Sequence, residues 1–72
     1  MPNLQHIRER LGSEFRPFII HLSDGRSFEV PHPDFIAVGR GIVVVVDRET
    51  DGTHRIDPLH IVSLSEAARD GA

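Results

Sequence analysis

Between Pro17 and Asp47 the chain alternates apolar and polar positions with the period of strands, in short runs separated by turn-forming residues. Phe18, Ile20 and Leu22 fall on one side of an extended segment over 16–22, and Pro17, Ile19 and His21 on the other. Asp24-Gly25 follows. That pair predicts a two-residue hairpin turn, which needs positive φ. A second strand over 26–30 returns with Phe28 and Val30 alternating with Ser27 and Glu29. Pro31-His32-Pro33 stops regular pairing and predicts an extended corner that re-aims the chain. A third strand is predicted over 35–38, and Gly39-Arg40-Gly41 marks another reversal. Residues 42–46 are apolar at every position, so both faces of a strand over 42–47 should be covered. Beyond it the pattern predicts a solvated hairpin loop over 47–52 and a short strand over 53–56. Asp57-Pro58 then makes a break with a 3₁₀ turn, and a final strand runs over 59–64.

The N-terminal pattern is different. Leu4, Ile7 and Leu11 recur at helical spacing and predict an amphipathic helix over 2–12, started at Pro2 or Asn3 and ended by Gly12. About three turns are marginal in isolation, so this helix must lie on the strands, either plugging an open end or covering a face. The last residues, 65–72, are small and polar and are expected to fray. The chain therefore reads as one small domain over 1–64, with a helix at 2–12 and a β-barrel at 16–64. The expected barrel is strongly bent and antiparallel, of SH3/Sm-like type, with about five strands.

Size adds a constraint. A chain of 72 residues buries only about 60% of the surface its unfolded form exposes, and it has no cysteine to staple the fold. Self-association is the simplest compensation, because it buries further apolar area. The residues expected to carry it are those of the two-faced strand, Ile42, Val43, Val44, Val45 and Val46. The net charge of −3 counts against nucleic acid as the main partner, since phosphate contact needs a basic surplus. No apolar run approaches the roughly 20 residues that span a bilayer. MPNLQHIRER has no secretory h-region, so a cytoplasmic location without membrane association is expected.

The motifs in 15–64 carry two resemblances. RPFIIHLSDGRSFEVPHPDFIAVGRG and HRIDPLHIVSL resemble a family of short bacterial proteins. Those proteins share an FRPF-x-I-x-L-x-DGR-x-F-x-V-x-HPDF start and an ID-x-x-x-IVSL end. That resemblance implies no activity, cofactor or site residue. More distantly, the order of short helix, PFIIHLSDGRSF hairpin and closing HIVSL strand is similar to the Sm-like small barrels, including the bacterial Sm-like RNA chaperone. It departs from them at Pro31-His32-Pro33, which breaks their long bent second strand. It departs again at Asp57-Pro58-Leu59-His60, where the chaperone carries a Tyr/Lys-His run.

The candidate chemistry is sparse. Five histidines (His6, His21, His32, His54, His60) show no H-x-H or H-x-x-x-H spacing. His21 and His54 would meet only if the first and fifth strands paired, so no metal is expected. His32 with Asp34, and Asp57 with His60, bracket prolines as a base and its orienter would, but no serine, threonine or cysteine lies in a nucleophile-elbow context. Asp34 and Asp57 are expected to cap turns instead. A chain of this size leaves little room for a ligand pocket of roughly 300 Å³, so neither catalysis nor a cofactor is expected. All eight basic residues are arginine. Arg26, Arg40 and Arg55 lie in or beside turns and are the candidates for a phosphate-reading rim. Interleaved Asp24, Asp47, Glu49, Asp51 and Asp57 oppose that role, and no tyrosine or tryptophan offers a stacking platform. The expectation is a non-catalytic interaction module that forms a homo-oligomer, with an unidentified protein as a further possible partner. The alternative is an Sm-like RNA-binding protein.

Overall fold

The apolar periodicities place one helix and six strands in a computed structural model that describes residues 4–12 and 14–67. They are α1 (Leu4–Arg10), β1 (Phe18–Leu22), β2 (Ser27–Val30), β3 (Ile36–Val38), β4 (Val43–Val46), β5 (Thr53–Ile56) and β6 (Ile61–Glu66). Single 3₁₀ turns stand at Pro33–Phe35 and Pro58–His60. The fold is mainly β, and every pairing is antiparallel, in two sheets of order β2-β1-β6 and β3-β4-β5. The six strands stand at the six places the pattern predicts, with β2 and β3 separated at the proline corner, one more than the five or so expected of the barrel. No ladder joins the two sheets among the described residues.

The core includes the positions of the first two strands that alternation aims one way, except that Phe28 is only half-buried. Phe18, Ile20 and Leu22 of β1 are buried, as are Val30 of β2, Val43 and Val45 of β4, and Ile56 of β5. The chain starts back on itself through a three-residue loop rather than a two-residue turn. The Gly25 N–H donates to the Leu22 carbonyl at 3.1 Å, and the Leu22 N–H to the Arg26 carbonyl at 2.9 Å. Gly25 takes φ +94°, so the loop is a β-turn closed by a left-handed residue. The right-handed strand twist accommodates either form. Asp24 tips the choice by accepting the Arg26 N–H at 3.0 Å.

At the second corner the prolines fold into the 3₁₀ turn Pro33–Phe35 and the strand starts at Ile36, not at Phe35. Asp34 is not its cap. The His32 Nδ1 accepts the Asp34 N–H at 3.3 Å, because the extended residue ahead of the turn presents its ring to that donor. Asp57 does cap the second 3₁₀ turn, accepting the Leu59 N–H at 3.0 Å. That turn absorbs Leu59 and His60, so β6 begins at Ile61 and extends past Leu64. Ser65 and Glu66 pair with Ile19 and Phe18, and Ala67 is buried. The expected fraying therefore does not apply to 65–67, and residues 68–72 lie outside the described residues. Between His21 and Leu22 the β1–β6 register shifts by one residue, leaving Ile61 and Val62 opposite Leu22.

The helix neither plugs nor covers a single sheet; it bridges both. Ile7 is fully buried, and Leu4 and Leu11 pack against the core. Arg8 donates to the Gly39 carbonyl beyond β3 at 2.9 Å. Arg10 donates to Glu66 of β6 at 3.0 Å and lies 5.0 Å over the Phe18 ring. Gly12 closes the end through its N–H to the Glu9 carbonyl, and Pro2 and Asn3 lie outside the described residues.

Candidate functional site

Clefts lined by exposed polar side chains occur at several places among the described residues. The first is an open cleft of about 380 Å³ where the β1–β2 loop meets the β5–β6 corner, roomier than chain length alone was expected to allow. It is lined by Ser23, Asp24, Arg26, Arg55, Asp57 and His60 above a floor of Leu22 and Ile56. The backbone fixes this meeting, since the Ser23 N–H donates to the His60 carbonyl at 2.7 Å. The side chains of the same two residues touch, with Ser23 Oγ 3.2 Å from His60 Nδ1. Arg26 is folded back on its own loop. Its Nε donates to Asp24 at 2.9 Å, and its guanidinium lies 5.7 Å over Phe28. The Arg26 N–H, then the guanidinium, hold the Asp24 carboxyl below its ordinary 3.8, so this anion stays beside the arginine through the neutral range.

The cleft brings together two of the three predicted arginines. Arg26 and Arg55 share it, whereas Arg40 lies in the β3–β4 reversal outside the lining. Arg40 and Arg55 make no ion pair among the described residues. Two carboxylates face the two cleft arginines, so the cleft carries no formal positive surplus from these groups. The Ser23–His60 pair is exposed to water, and the Asp57 carboxylate at the same cleft accepts the Leu59 N–H through one oxygen.

The second feature is a groove of about 490 Å³ between α1 and β6, lined by His6, Glu9, Arg10, Val62, Ser63 and Leu64. Val62 at its rim is 61% exposed, and Leu59 on the preceding turn is 76% exposed. They are the two exposed large apolar side chains among the described residues. Both escape burial for local reasons: the 3₁₀ turn swings Leu59 outward, and the register shift leaves Val62 as the extra residue. Sequence periodicity missed them because it treated 59–64 as one regular strand. Asp57-Pro58, a cap followed by a proline, was the signal for the displacement.

The five residues expected to carry self-association divide into two groups. Val43 and Val45 point into this chain's own core and cannot meet a partner. Val44, Val46 and Ile42 are half-buried on the opposite side. Moreover β4 is the central strand of its sheet, so it offers no edge. The histidines do not converge. β1 and β5 do not pair, His21 bonds Ser65 Oγ at 2.7 Å, and His54 stacks on Phe28 with ring centroids 4.6 Å apart. No group of three histidine, aspartate or glutamate side chains suited to a metal occurs among the described residues. No helix among them is long and apolar enough to cross a membrane.

Among known protein families, curated proteins and solved structures, none matches this chain.

Proposed function

We propose that this chain is a non-catalytic β-domain interaction module that self-associates. The observation that carries the reading is the pair of exposed apolar side chains, Leu59 and Val62, around the start of an edge strand in a domain with a very small core. A solvent-exposed strand edge bearing apolar side chains is a ready template for another strand. Association also compensates the low burial of a 72-residue chain that has no disulfide. The two sheets are read as the halves of a small SH3/Sm-like barrel. The support is the element order, in which a 3₁₀ turn leads into a last strand that pairs antiparallel with the first. Sedimentation velocity across a concentration series tests the reading. A weight-average mass rising above that of the 8.1 kDa chain supports it, and a single monomeric species throughout rejects it.

A second reading, single-stranded RNA binding, has one observation in its favour: Arg26 and Arg55 line a common cleft with His60. The same cleft holds Asp24 and Asp57, and Phe28, the aromatic nearest Arg26, is half-buried and stacked on His54. Submicromolar, salt-sensitive binding of single-stranded RNA, abolished in the triple variant Arg26→Ala, Arg40→Ala, Arg55→Ala, would place this reading first.

A further inference from the structure

We propose that the outer edge of β6 over residues 62–66 is a symmetric dimer interface, in which this stretch pairs antiparallel with the same stretch of a second copy about a two-fold axis near Leu64. The proposal rests on the self-association reading and specifies its surface. Among the described residues four strands lie at sheet edges: β2, β6, β3 and β5. Three of them are short or guarded in the ways that blunt an edge. β3 has three residues and follows the prolines of the corner. β5 has four residues and displays Arg55, and β2 has four residues, displays Glu29 and runs into Pro31. β6 has six residues and contains neither proline nor a basic residue. Its one charge, Glu66, bonds Arg10 at 3.0 Å and keeps its carboxylate 65% exposed.

The direction of the edge groups follows from the ladder. The Ala67 N–H donates to the Pro17 carbonyl at 3.2 Å, which makes 17 and 67 a hydrogen-bonded pair. Antiparallel ladders alternate, so Ser65 and Ser63 are the bonded partners of Ile19 and His21. Leu64 and Glu66 therefore aim their backbone groups away from β1, toward the groove side. Centring the two-fold on Leu64 places Leu64 against its own copy and Val62 against Glu66 of the second copy. An isologous contact requires a self-complementary patch. The groove beside the edge supplies one, since its lining holds Glu9 together with His6 and Arg10 and the apolar Val62 and Leu64. Neither sign of charge accumulates across the axis. The result is one continuous six-stranded sheet, β2-β1-β6 joined to its symmetry mate.

The register makes opposite predictions for two charges at one exposed position. Val62→Glu sets a carboxylate against Glu66 of the other copy, and Val62→Lys sets an ammonium there. Val62 is exposed, so both variants should keep the wild-type circular dichroism spectrum. In sedimentation equilibrium the wild-type chain should dimerise, Val62→Glu should raise the dissociation constant roughly tenfold or more, and Val62→Lys should dimerise far better than Val62→Glu. An oligomer that withstands Val62→Glu overturns this interface but leaves self-association standing. Equal losses in both variants overturn the antiparallel register. A wild-type monomer at every concentration overturns the interface together with the reading beneath it.

Discussion

Two glycines of this chain separate backbone strain from every other effect of adding a methyl group. At Gly25 and at Gly41 a Cβ would meet nothing within 4 Å, so neither Gly25→Ala nor Gly41→Ala creates a clash. They differ in conformation: Gly25 sits at φ +94°, and Gly41 lies outside the left-handed region. Both substitutions reduce the freedom of the unfolded chain, which favours folding by about 0.4–1 kcal/mol. Only Gly25→Ala then forces an L-residue into left-handed backbone, at about 1–2 kcal/mol. The unfolded-state gain cancels when the two variants are compared. Their difference should therefore be about 1–2 kcal/mol, with Gly41→Ala the more stable. For a domain of this size that is a separation in Tm of roughly 5–15 °C. Differential scanning calorimetry at one fixed protein concentration measures it, since association would otherwise shift each Tm. Equal Tm values for the two variants would refute the three-residue loop and its left-handed closing residue.

Truncating Ile7, the one buried residue of α1, should cost about 2–4 kcal/mol and remove helical signal before the sheets melt; loss of both signals in one transition of unchanged midpoint would contradict the bridging role of the helix. Asp24 and Asp47 both titrate below the ordinary 3.8, held first by the N–H groups of Arg26 and Glu49. Their depressed values stabilise the fold above the unfolded pKa, so that contribution is complete above about pH 4–5 and is lost as pH falls through the folded values. Urea midpoints should therefore drop on acidification below about pH 4, and more shallowly in an Asp24→Asn, Asp47→Asn variant; parallel acid limbs would refute this.

Much of the architecture was legible because alternation fixes which side chains face inward. Phe18, Ile20, Leu22 and Val30 follow from it, whereas the unbroken apolar run over 42–46 could not single out Val43 and Val45. The turns were legible where a residue type has one dominant use, as with Asp57 ahead of Pro58 and Gly25 in the hairpin. The pattern failed where local backbone bonding overrode period two. His32 displaced Asp34 as cap, the 3₁₀ turn moved the start of β6 to Ile61, and the register shift exposed Val62. The apolar run over 42–46 drew attention as the association surface, yet β4 is the middle strand of its sheet and hides Val43 and Val45. Strand order is a non-local property, which hydrophobicity along the chain does not encode. The Ser23–His60 meeting, made across 37 residues, was invisible for the same reason.

The dimer edge is tested most directly by amide hydrogen exchange on β6 as a function of protein concentration. Ser63 and Ser65 bond to β1 within one chain and should be protected at every concentration. Leu64 and Glu66 face outward, and their protection should rise steeply once the dimer forms. Fast exchange at Leu64 and Glu66 at all concentrations, beside protected Ser63 and Ser65, would contradict the account.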